Sequence, residues 1–111
     1  MTDVPPDLAF LQWLIDVNRY LRPRPLPGGH WAAIMPMIFT HAIGTGRIGD
    51  YFGIENSWCY ESREEAEAAL EAWSGSGEPD GWIRHPPSGR RRPSGDLEAL
   101  IERPYSSEAA R

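Results

Sequence analysis

Arginines interleaved with a tryptophan and a histidine are the material of phosphate and base contacts, and one stretch of this chain has them. It reads Gly81-Trp82-Ile83-Arg84-His85-Pro86-Pro87-Ser88-Gly89-Arg90-Arg91-Arg92-Pro93, and residues 81–95 carry four arginines and no acid. Directly before it, residues 61–80 carry seven acids and one arginine, a local charge of −6. Glu64, Glu67 and Glu71 within that block are spaced i, i+3, i+7, which places them on one face of a helix, with Glu61 and Glu65 alongside. Such a face is ordinarily a solvated surface; its functional use would be to dock a basic partner or imitate a phosphate backbone. The adjoining +4 stretch offers the opposite chemistry, and Arg84 with Arg90, Arg91 and Arg92 can also neutralise the glutamates within the same molecule.

Other chemistry-bearing residues lack partners in the sequence. Gly44-Thr45-Gly46-Arg47-Ile48-Gly49 matches G-x-G-x-x-G, but Asp50-Tyr51-Phe52-Gly53 stands where a phosphate-binding helix would have to begin. The glycines are therefore expected to let a strand bend or bulge, with no nucleotide or other cofactor bound. His30, His41 and His85 stand singly, without the spacing of a metal site, so no metal is expected. Cys59, between Trp58 and Tyr60, reads as a buried strand thiol. A Cys59–His41 nucleophilic pair would lack the third, orienting group, and no enzyme activity is expected.

These residues have to be held by a small number of elements. Pro5-Pro6-Asp7 opens a helix whose apolar spacing (Leu8, Leu11, Leu14, Ile15, Leu21) predicts residues 7–21. Residues 22–29, with prolines at 23, 25 and 27, read as an extended linker. Residues 30–48 read as strand, with Pro36 marking an edge or a bend, and Trp58–Tyr60 as a short further strand. Ser62-Arg63-Glu64-Glu65 is a capping box, and an alanine-rich helix is predicted over 63–73. A glycine-rich turn, a hairpin through the basic stretch, a short helix near 96–102 and a loose tail complete the chain. The expected fold is α+β, two helices on one face of a small antiparallel sheet in the order α-β-β-β-α, with Trp58, Trp73 and Trp82 in a shared core.

With 111 residues this is one domain, 1–111, and its 41% apolar and 24% charged content is that of a folded globule. One cysteine allows no internal disulfide, which fits a reducing cytoplasm. The N-terminal residues lack the pattern of a signal peptide, and the longest apolar run, Trp31–Phe39, is half a membrane span and interrupted by Pro36. A cytoplasmic protein with no membrane contact is expected.

The predicted topology resembles the double-stranded-RNA-binding domain, but that family opens its second helix with a lysine-rich phosphate clamp. This chain has Ser62-Arg63-Glu64-Glu65-Ala66-Glu67 there, so the likeness extends to topology and not to activity. A second likeness covers residues 30–93. Met35-Pro36-Met37-Ile38-Phe39-Thr40, Trp58-Cys59-Tyr60, the helix ending at Trp73, and Gly77-Glu78-Pro79-Asp80-Gly81-Trp82-Ile83-Arg84-His85-Pro86 with Gly89-Arg90-Arg91-Arg92 carry it. They resemble a group of small proteins of alphaproteobacteria, related bacteria, and their phages and prophages. That group brings no activity to transfer; it implies a mobile-element setting and an accessory role. The function expected is a non-enzymatic binding protein acting on a host protein or complex, with an anti-CRISPR-like inhibitor as its concrete form. The candidate contact residues are Glu64, Glu67, Glu71, Trp82, Arg84, Arg90, Arg91 and Arg92. A nucleic-acid-binding accessory protein using the basic hairpin is the alternative, and a small enzyme using Cys59 and His41 the third reading.

Overall fold

Proline opens the first helix and a serine the second. The computed structural model of the protein describes residues 6–37, 40–51 and 53–83. Helix α1 runs Pro6–Asp16 with Asp7 in its first turn, where a carboxylate favours the positive end of the helix dipole. It ends five residues before the predicted boundary. Arg19 adopts a left-handed φ of 61°, and the Tyr20 amide turns back to the Leu14 carbonyl at 3.0 Å. Leu21, which continues the helical spacing in sequence, starts a strand instead.

Four strands come next: β1 (Leu21–Leu26), β2 (His30–Pro36), β3 (His41–Arg47) and β4 (Asn56–Tyr60). They form an antiparallel meander in the order β1-β2-β3-β4. The segment expected to be a linker is thus the edge strand β1. Prolines forbid helix, yet an edge strand tolerates them because its outward N–H groups need no ladder partner. A register shift between Leu21 and Arg24 accommodates the irregularity. Gly28 and Gly29, at φ 78° and 77°, make the turn into β2. Pro36 closes β2 at the next hairpin, where the Met37 amide donates to the Thr40 carbonyl.

Helix α2 (Arg63–Ala72) begins as its capping box predicts. The Glu65 amide donates to Ser62 Oγ at 3.1 Å, and the Ser62 hydroxyl lies 3.0 Å from Glu65 Oε1. Trp73 is the C-cap residue.

The α+β class with an antiparallel sheet is as predicted, with one strand more. The helices, however, lie on opposite faces of the sheet. Strand alternation sends Ala32, Ile34, Ile43, Trp58 and Tyr60 to one face, where they pack with Ala66, Leu70, Trp73 and Trp82 on and after α2. Trp31 and Ala33 point the other way, into Phe10, Leu11 and Leu14 of α1. Every residue of β2 from Trp31 to Met35 is buried. That unbroken apolar run is the mark of a strand covered on both sides, where one solvated face would give alternation. The three tryptophans 58, 73 and 82 do share one core, Trp58 and Trp73 meeting edge-on at 5.4 Å. After α2 the chain is tied back to the sheet by the Tyr60 hydroxyl on the Asp80 carbonyl and by the Ile83 amide on the Cys59 carbonyl. Arg84, His85, Arg90, Arg91 and Arg92, with the predicted hairpin tip and short last helix, lie outside the described residues. Among the described residues no helix is long and apolar enough to cross a membrane.

Candidate functional site

The acidic helix face is where the sequence places it, but its residues divide into two kinds. Glu67 is half-buried and doubly paired: Arg22 Nε donates to Oε2 at 2.8 Å and Arg63 Nε to the same oxygen at 3.1 Å. The Arg22 hydrogen bond, and after it that of Arg63, hold the Glu67 carboxyl below the ordinary carboxylate range. The same contact raises Arg22 in turn. Glu61, Glu64, Glu65, Glu71, Glu78 and Asp80 are exposed. Glu65 is occupied locally by the cap; both ion pairs described for residues 61–80 fall on Glu67.

The arginines that meet α2 therefore include two from β1 that read in sequence as linker. Arg24 Nη1 donates to the carbonyls of Leu70 at 2.7 Å and Trp73 at 3.0 Å. It serves the end of a helix that has no basic residue in its own last turn. Arg22 reaches α2 from the register shift, at a left-handed φ of 50°, so the alternation of arginine and proline in the sequence does not by itself place the two side chains together.

Trp82, a sequence candidate for partner contact, is buried at 3% exposure in the α2-side core. It acts there by packing. Glu64 and Glu71 remain on the outside of α2, one on each side of the paired Glu67.

The glycine motif runs from β3, where Gly44 and Gly46 are buried strand residues, into the turn after it, where Gly49 has a left-handed φ of 99°. A dinucleotide fingerprint needs a helix to begin at the motif and point its N-terminus at the ligand. Among the described residues between β3 and β4 no helix begins. Crowding explains the two strand glycines better than bending. A Cβ on Gly46 would sit 2.7 Å from the Gly53 carbonyl oxygen and 2.9 Å from the Trp31 indole nitrogen; on Gly44 it would strike the Met35 thioether.

The register separates the two residues of the third reading. His41 pairs with Tyr60, and Cys59 with the next residue, Ala42. His41 and Cys59 thus project from opposite faces of the sheet, and Cys59 is fully buried among Met35, Met37 and Ala42. Among the described residues no group of three or more His, Cys, Asp or Glu is arranged to hold a metal ion.

One cleft has no counterpart in the sequence pattern. α2 ends before the sheet does, and beyond Trp73 a cleft of about 250 Å³ opens over the cross-strand pair Thr45 and Asn56. His30 and Glu55 stand at its side, His30 Nε2 lying 3.2 Å from Glu55 Oε1. These four residues come from three strands and a loop, so no local spacing in the sequence joins them. No family model matches the chain, and no curated protein or solved structure matches it.

Proposed function

We propose that this chain is a non-enzymatic binding protein that docks a basic surface of a host protein through the acidic side chains of residues 61–80. The observation that carries the reading is the exposure of Glu61, Glu64, Glu71, Glu78 and Asp80 on and beside a capped, well-packed helix. Like charges so close together destabilise a helix slightly unless something compensates. Glu67 has its compensation in Arg22 and Arg63, whereas its exposed neighbours offer theirs to a partner. A surface of one sign also speeds and orients encounter with a surface of the other. The likeness of residues 30–93 to small phage and prophage proteins supports an accessory role in which a host machine is occupied and blocked, the anti-CRISPR type being its concrete form.

The test is a pull-down from host lysate with the wild-type chain and with Glu64→Arg/Glu71→Arg in parallel. Both positions are exposed, so the variant should keep its fold. A protein retained by the wild type and lost by the variant is expected. Retention by both would remove the acidic face from the account.

A further inference from the structure

We propose that the cleft beyond the end of α2 receives a single arginine or lysine side chain of the docked partner. This rests on the partner being basic, as proposed above.

The size of the cleft sets the class of occupant. About 250 Å³ is the room of roughly eight waters at ~30 Å³ each, below the range of drug-sized ligand sites. It suits one long side chain.

The lining sets the chemistry. The floor is polar where Thr45 and Asn56 pair across β3 and β4. Part of the lining is apolar: Leu26 and Pro27 from the β1–β2 hairpin, and Trp73. Leu26 also packs against Gly75, where a Cβ would approach its Cδ2 to 2.9 Å. Among the described lining residues Glu55 is the one acid, and His30 shares its carboxylate at 3.2 Å. A hydrocarbon stem fits along the leucine, proline and indole surfaces, and a cationic head fits between the carboxylate and the two polar floor groups. Long basic side chains are built in this way, apolar stem and charged tip. An anion would meet Glu55 in a chain of net charge −5.

The cleft also lies next to the acidic surface. Trp73 lines it, and the same tryptophan lines a second cleft with Glu78 and Asp80. A basic segment lying along residues 61–80 would reach it without leaving the protein.

The experiment is an NMR titration of the full chain with an arginine-rich nonapeptide, followed at the indole N–H resonances, with N-acetylarginine amide and acetate as separate arms. The Trp73 resonance is expected to move with the peptide and with N-acetylarginine amide, and not with acetate. Glu55→Gln, at an exposed position, should weaken peptide binding about tenfold, and Thr45→Val severalfold, with urea midpoints checked for each. Peptide binding that is lost in Glu64→Gln/Glu71→Gln but unchanged in Glu55→Gln, with Trp73 unmoved, would overturn the cleft and leave the docking face standing. A peptide that fails to bind at low salt would overturn both. A shift with acetate in place of the cation would also overturn the cleft proposal.

Discussion

The guanidinium of Arg24 lies 2.7 Å from the Leu70 carbonyl, so an arginine of the proline-rich edge strand closes the far end of α2. With its second bond to the Trp73 carbonyl, it ties β1 to the helix across the α2-side core. Hydrogen bonds from a charged donor contribute about 1.5–3 kcal/mol each at most, and leaving helix-end carbonyls without a partner adds cost. Arg24→Ala should therefore lower stability by about 2 kcal/mol, read from the urea midpoint. Both bonds leave the single nitrogen Nη1, which an ammonium with three N–H groups can imitate, so Arg24→Lys should recover much of the loss.

Gly46 and Gly44 should respond differently to alanine. At Gly46 the new Cβ meets a backbone oxygen and a fully buried indole, neither of which can yield cheaply. Overpacking of that kind costs about 1–3 kcal/mol, and Gly46→Ala should fall at the upper end. At Gly44 the obstacle is the end of the Met35 side chain, which can change rotamer. Thermal denaturation of both variants gives the order; a Gly44→Ala protein less stable than Gly46→Ala would refute the packing reason for the motif.

Those glycines illustrate what the sequence could and could not tell. The capping box at Ser62 and the shared tryptophan core were legible, because both rest on local spacing and on residue size. Strand β1 was not. Prolines speak clearly against helix, but whether an extended segment stays a linker or joins a sheet depends on a neighbour far along the chain, here Trp31 and Ala32 facing Pro25 and Arg24. The placement of α1 was hidden for the same reason, although the unbroken apolar run of β2 held the clue to two covered faces. The acidic face was legible as a face; which glutamate of it is neutralised was not, since Arg22 lies 45 positions from Glu67.

Truncating Trp73 should loosen the core that anchors both clefts. It is 8% exposed, packs edge-on against Trp58, and donates its indole N–H to the Ser76 carbonyl at 3.1 Å. Trp73→Ala is expected to cost about 3–5 kcal/mol. The emission of the wild type should be blue-shifted and redden only on unfolding. A variant within about 1 kcal/mol of wild type, nearer to a surface substitution, would mean that Trp73 does not hold the core.

Glu67 gives a pH signature. Its carboxyl is held below the ordinary range in the folded protein by Arg22 first and Arg63 second. The contribution is therefore complete above the unfolded carboxylate pKa, about 4.3, and is lost as pH falls through the lower folded value. Urea midpoints measured from about pH 6 down to pH 3 should fall less steeply in Glu67→Gln than in the wild type. Parallel curves would show that the two ion pairs add nothing to folding. The effect should shrink in high salt, because the pair is exposed on the Arg22 side.

The sign of the partner is the central claim, and one pair of titrations addresses it. The full chain is titrated with an arginine-rich peptide and with duplex DNA, each at about 50 and 200 mM salt. The account predicts micromolar binding of the peptide at the lower salt, at least tenfold weaker at the higher, and lost in Glu64→Lys/Glu71→Lys. It predicts no micromolar binding of DNA, because a chain of net charge −5 repels a polyanion at long range. The contradicting result is micromolar DNA binding at the lower salt that falls about a hundredfold at the higher, is abolished by Arg90→Ala/Arg91→Ala/Arg92→Ala, and is accompanied by no binding of the peptide.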